Sequence, residues 1–190
     1  MEDKLAYTIT QEEFEQMQLE HQQKIRDILI DLVKKEEWEK FVDTAICYPE
    51  AYPFSFIWFD KVPSELKRKF AVAAYSHHGD SIPCVRKAIR SLSKCEAPKL
   101  PKKLADKEVI TVYRAGEEDI TKCKYRISWT TNKKVALFFL NTWQGKHATH
   151  LYEAKIKTKD ILAHTNDRKE NEILQYRKVF DITEITERQC

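Results

Sequence analysis

Three glycines in 190 residues, Gly79, Gly116 and Gly145, set the tightest limit on what this chain can become. A phosphate-binding P-loop and a Gly-x-Gly-x-x-Gly dinucleotide turn each gather several glycines where backbone must approach a phosphate. Glycines spaced this far apart can write neither. Any nucleotide held by this chain is therefore held by side chains.

Hydrophobic periodicity organises the rest. Thr10 followed by Glu13 has the form of a capping box, and behind it Phe14, Met17, His21, Ile25, Ile28, Leu29, Leu32 and Val33 recur at helical intervals. The pattern extends through Trp38, Phe41 and Val42. From Tyr48 to Phe59 an aromatic-rich stretch containing Pro49 and Pro53 opposes a long regular helix. Its rings are expected to pack between the two halves of the chain, with an exposed part offering a surface to a partner protein. A second helix is expected from Pro63-Ser64-Glu65 to Gly79, turning Leu66, Phe70 and Ala74 inward. A third, opened by Ser81 and Pro83, sets Val85, Ile89 and Leu92 on one face.

Residues 94–107 read as a connector, interrupted by Pro98 and Pro101 and carrying lysines at 94, 99, 102, 103 and 107. Short β-rich runs follow at about 108–114, 125–130, 150–157, 171–176 and 179–185. One helix, from Asn132 to Asn141, lies among them and is expected to bury Val135, Phe138 and Phe139. The expectation is an α+β chain: a helical region over 1–100 packed on a β-rich core over 101–190 as one compact unit.

Two strand segments carry the chemistry. Alternate strand residues share a face, so Glu170 and Glu172 of Glu170-Asn171-Glu172 are expected in one cleft, with Leu174 and Tyr176 continuing the face of Glu172. Two close carboxylates repel each other and favour a substrate with cationic character in its transition state. Ser128 and Thr130 share a face while Trp129 points to the core. Arg114 ends an apolar strand ahead of Ala115-Gly116, read as a tight turn, and its guanidinium suits paired bonds to phosphate oxygens.

Tyr113-Arg114, then Ser128-Trp129-Thr130, then Glu170-Asn171-Glu172 resembles the arginine–serine–glutamate class of mono-ADP-ribosyltransferases. The resemblance implies an ADP-ribosyltransferase-like split sheet and NAD as co-substrate. It implies Arg114 on the NAD phosphates, Ser128 organising the site with Thr130 beside it, Glu172 as the catalytic carboxylate and Glu170 preparing the acceptor. Ser-Trp-Thr stands where the family has Ser-Thr-Ser. The helix after the serine strand and the segment from Asp160 to Lys169 also look like the family's, and Trp143 and Lys146 fall where it contacts phosphate and nicotinamide. The acceptor implied is macromolecular, a protein side chain before RNA or DNA. A non-catalytic module binding a nucleotide or a partner is the alternative on the same scaffold.

The remaining features bound the setting. Net charge +3, with 33% charged residues, does not by itself argue for nucleic acid, although the connector lysines would attract phosphates. Met1-Glu2-Asp3-Lys4 lacks a signal-peptide pattern, and no membrane-spanning run occurs. Five scattered cysteines (Cys47, Cys84, Cys95, Cys123, Cys190) suit reduced thiols, so a cytoplasmic effector of toxin or phage type is expected. Neither Cys84 nor Cys123 sits in a nucleophile signature. His77-His78 with Asp80 and Cys84, or His147-x-x-His150, fall short of four ligands at an established spacing, so no metal is expected.

Overall fold

The computed structural model describes residues 10–79, 81–142, 148–166 and 169–185. The chain is α+β, with helices in its N-terminal half and a six-stranded antiparallel sheet in its C-terminal part. It divides into two compact units, Met1–His77 and His78–Cys190.

In the first unit, helix α1 (Gln11–Lys34) opens on the expected capping box. The Glu13 amide donates to Thr10 Oγ1 at 3.2 Å, and the Thr10 amide donates to the Glu13 carboxylate at 2.8 Å. Two amides that the helix leaves unpaired are thereby satisfied. The apolar stripe is buried only at Ile25, Leu29 and Leu32; every residue from Gln11 to Lys24 is exposed, Phe14 and Met17 included. Side-chain bonds from Gln11 to Glu15, Gln16 to Glu20 and Gln23 to Asp27 hold this uncovered stretch helical.

Helices α2 (Trp38–Cys47), α3 (Tyr52–Ser55) and α4 (Ser64–His78) complete the unit. Phe70 of α4 is fully buried, stacked on Phe56 at 4.8 Å and within 6.0 Å of the Phe41, Tyr52 and Phe59 rings. The aromatic stretch expected between the halves thus makes these ring contacts inside the helical unit.

The second unit begins with α5 (Pro83–Ser91), which buries Val85, Ala88 and Ile89, and α6 (Lys102–Ala105), a helical turn inside the expected connector. Leu104, the apolar residue of that turn, is buried in the sheet core. Then come β1 (Val109–Gly116), α7 (Ile120–Cys123), β2 (Ser128–Thr130) and α8 (Lys133–Thr142). Strands β3 (His150–Lys157), β4 (Ala163–Thr165), β5 (Glu172–Leu174) and β6 (Phe180–Glu184) follow. Strand β4 falls within the segment from Asp160 to Lys169, outside the β-rich runs expected from sequence. Its three residues are too few for an alternation to register, and pairing with β5 defines it.

The strands lie in the order β4-β5-β2-β1-β3-β6. One face carries Ile110, Val112, Trp129, Tyr152, Ala154, Ile156 and Ile173, buried with Leu104 and Cys123. Trp129 is opposite Ile173, as inward-facing partners should be. The other face carries Tyr113, Ser128, Thr130, Glu172 and Leu174, as the pairings Tyr113↔Thr130, Thr130↔Glu172 and Ser128↔Leu174 require. On α8, Ala136 is buried, whereas Phe138, expected inside, is 61% exposed. The phenylalanines at 138 and 139 are adjacent on a helix and cannot both face one core.

Candidate active site

Strand β5 carries the glutamate that the sequence puts forward as catalytic. Glu172 begins it and is 5% exposed. On the neighbouring strand Ser128 Oγ donates to Glu172 Oε1. The two residues are diagonal partners, Glu172 standing opposite Thr130 and Ser128 opposite Leu174, and a serine is long enough to close that diagonal onto a glutamate. A buried carboxylate fixed at one oxygen by a hydroxyl has a defined rotamer and a defined direction for its other oxygen.

Glu170 does not share that strand. The backbone turns at Asn171, whose φ is +46°, and Lys169 is also left-handed at +61°, so strict alternation fails between the two glutamates. Asparagine tolerates this conformation better than other non-glycine residues. The Asn171 amide donates to Asn166 Oδ1 at 3.0 Å, closing the turn. Thr130 Oγ1 donates to the Glu170 carbonyl at 2.5 Å and accepts from the Asn132 amide at 3.0 Å. Thr130 therefore clamps the turn to the start of α8 rather than presenting its hydroxyl to a ligand. Strand β5 also stops at Leu174, so Tyr176 lies beyond it in a bend.

Arg114 stands opposite Tyr152 and belongs to the other face of the sheet. Strands β1 and β2 pair at Tyr113↔Thr130, and next to that pair Arg114 Nη1 donates to the Ser128 carbonyl at 2.9 Å. Arg114 Nε donates to Glu118 Oε1 at 2.9 Å, and Arg126 Nε lies 3.2 Å from the same oxygen.

Sequence reasoning missed Glu118. Its side chain is 5% exposed, and burial raises its carboxyl pKa, but the charges and bonds of Arg114 and Arg126 win and hold it below the ordinary value. Gly116 makes room for it: a Cβ there would meet the Glu118 carboxylate oxygens at 2.5 and 2.8 Å. The expected tight turn is absent, because β1 runs on through Gly116. The sequence signal was present in the spacing Arg114-x-Gly116-x-Glu118, a glycine between two charges that must meet. Tyr152 adds a bond from its hydroxyl to the Glu118 carbonyl at 2.5 Å.

The groups thus connect as Arg126–Glu118–Arg114–Ser128–Glu172, crossing three strands. No family model, curated protein or solved structure matches this chain. The site must be read from its own chemistry.

Beside it, Lys134, Val135, Phe138, Phe139, Lys169 and Glu170 line a cleft of about 270 Å³. That is just under the ~300–1,000 Å³ of ordinary ligand pockets, enough for part of a larger ligand. Glu170 lines this cleft, and Glu172 is not among its lining residues. Trp143, Lys146, Asp80 and His147 lie outside the described residues. His150 Nδ1 is 2.8 Å from Glu184 Oε1, and among the described residues no group of three metal-ligating side chains assembles. Burial pushes the Cys123 thiol up to about 12 and raises that of Cys84, which makes both poor nucleophiles. No described helix is long and apolar enough to cross a membrane.

Proposed function

We propose that the sheet unit is an NAD-dependent mono-ADP-ribosyltransferase of the arginine–serine–glutamate class, built on an ADP-ribosyltransferase-like split sheet. The observation that carries this reading is the bond from Ser128 Oγ to Glu172 Oε1, made while Arg114 holds the Ser128 carbonyl. Ser128 is the link: its hydroxyl ties Glu172 on one face of the sheet, and its carbonyl takes a bond from Arg114, whose strand position belongs to the other.

The roles follow from the environments. Breaking the bond between nicotinamide and ribose sends the bonding electron pair to nicotinamide, which leaves neutral, and leaves cationic charge on the ribose. Glu172, fixed by Ser128, stabilises that charge as carboxylates do in glycoside cleavage. Arg114 anchors the diphosphate, which competes with Glu118 for the guanidinium. Glu170, in the adjoining cleft, orients an acceptor nucleophile and takes its proton. The acceptor is macromolecular; a protein side chain is the first to test, RNA or DNA the second.

The test is incubation with labelled NAD in a lysate split into protein and nucleic-acid fractions, parent against Glu172→Gln. Glutamine keeps an acceptor for Ser128 and removes the charge, so a loss of about 10²–10⁴-fold in nicotinamide release and transfer is expected. One observation favours a second reading, a non-catalytic module: the guanidinium is already engaged by Glu118. A folded parent that binds NAD without releasing nicotinamide would establish that module and end the transferase reading.

A further inference from the structure

Two short segments, one of them ending at Arg126 of the candidate site, come together through one buried side chain. Gln175 is fully buried; its Nε2 donates to the Arg126 carbonyl, and its Oε1 accepts from the Lys178 amide at 2.7 Å. Its amide donates to the Ile127 carbonyl at 2.9 Å. Gln175 thus pins the bend Tyr176-Arg177-Lys178 against Lys124-Tyr125-Arg126. Arg177 is held at φ +58° in that bend.

What the clip assembles is a ladder of rings and cations. The Arg177 guanidinium lies 4.9 Å from the Tyr125 ring centre and 5.3 Å from that of Tyr176. Arg90 of α5 stands 5.5 Å from Tyr176, and Lys124 Nζ stands 5.0 Å from Tyr125. Tyr125 is 47% exposed, and Arg90, Lys124, Arg177 and Lys178 are all exposed. Arg86 is also exposed, one turn before Arg90 on the same side of α5. Among the described residues no ion pair engages Arg90, Lys124, Arg177 or Lys178.

A surface that gathers four uncompensated cations works against its own Coulomb repulsion, and contacts to ring faces do not cancel the charge. A polyanion does. The interleaved tyrosines narrow the choice further. Phosphates alone would be served by the cations, whereas exposed rings and guanidinium planes stack on unpaired bases. A duplex keeps its bases stacked inside and could use only the charges.

We infer that the Tyr125–Tyr176 ladder, with Arg90, Lys124, Arg177 and Lys178, binds single-stranded nucleic acid. The proposal goes beyond the transferase reading and does not require it. If both hold, the strand is delivered to the unit that carries Glu172.

The test is fluorescence anisotropy of a labelled mixed-sequence single strand, about 15 nucleotides as RNA and as DNA, titrated with the full chain without NAD at several salt concentrations. Four neutralised phosphates give a slope of log affinity against log salt of about −3. Tyr125→Leu weakens binding about tenfold at every salt concentration, and Tyr125→Phe restores it. Lys124→Ala and Arg90→Ala each make the slope shallower by about 0.7. Both positions are exposed, so the variants stay folded. The proposal is overturned by absent or salt-independent binding, or by Tyr125→Leu binding as the parent does. It is equally overturned if a duplex of the same length binds as tightly, or if polyglutamate displaces the strand as well as unlabelled strand does. Because NAD is omitted, failure here is separate from failure of the transferase reading.

Discussion

The Glu118 carboxylate occupies the space that a side chain on Gly116 would fill, its nearest oxygen 2.5 Å from where a Cβ would stand. The glycine is therefore part of the Arg114 site rather than of a turn. Gly116→Ala must push the carboxylate off Arg114 and Arg126, or strain β1 beside them. Overpacking of this kind costs about 1–3 kcal/mol. Urea unfolding should show that loss, and hydrogen exchange should place it at the β1–β2 amides. Gly116→Ala as stable as the parent would mean that Glu118 has another place to go.

Acid should lower the stability of the sheet unit in two separable stages. Glu118 has a folded-state pKa below its ordinary carboxylate value, so its contribution is complete above about pH 4.3 and is lost as pH falls through the folded value. His164 has a lowered pKa because burial, with Lys103 adding to it, disfavours its charged form, and its buried Nε2 meets no hydrogen-bond partner among the described residues. Its contribution is complete above about pH 6.5 and falls as the unfolded chain begins to take up that proton. Stability measured from pH 8 to 3 should therefore decline first below about 6.5 and again below about 4.3. Glu118→Gln should remove the second decline, starting from about 2 kcal/mol less stability at pH 7. An unchanged acid limb in that variant would place the acid-labile carboxylate elsewhere.

How much of this was visible in the sequence differs from residue to residue. Thr10 with Glu13, the inward Trp129, and the shared face of Ser128 and Thr130 were legible because local spacing determines them; their meeting with Glu172 was not, because strand register sets it. Strand β4 was not, because three residues make a strand only when a neighbour supplies the bonds. Glu170 was placed on a strand because alternation ignores backbone handedness, and Asn171 breaks the alternation with one positive φ. Glu118 and Gln175 escaped for a shared reason. Each is a polar side chain tied to Arg126; nothing local marks Gln175 as buried, and for Glu118 the one local mark is Gly116 set between it and Arg114.

The helical unit depends on one ring more than on any other. Phe70 is in ring contact with Phe41, Tyr52, Phe56 and Phe59, and none of its surface is exposed. Phe70→Ala leaves a cavity among four rings that belong to different short elements and cannot collapse together. The expected cost is about 3–5 kcal/mol. Phe70→Leu should recover much of it. The check is urea unfolding of the two variants against the parent, followed by far-ultraviolet circular dichroism, since this unit is helical. A loss under about 1 kcal/mol would show that the ring cluster is not what holds these helices.

Ser128 and Thr130 share a face of β2 yet should fail differently when changed. Ser128→Ala removes the hydroxyl that donates to Glu172 Oε1, without touching the backbone. The carboxylate keeps its charge and loses its direction, so kcat for NAD cleavage should fall about 10–100-fold with KM little altered. Thr130→Val instead frees the Glu170 carbonyl and the Asn132 amide, loosening the turn that carries Lys169, Glu170 and Asn171. Its first effect should be on stability, about 1–3 kcal/mol for groups left without a partner, and on transfer to the acceptor more than on NAD hydrolysis. Steady-state hydrolysis and transfer assays on both variants separate the two. Equal losses in both reactions for Thr130→Val would assign its hydroxyl to the NAD site itself, and an undiminished kcat for Ser128→Ala would remove the serine from the mechanism.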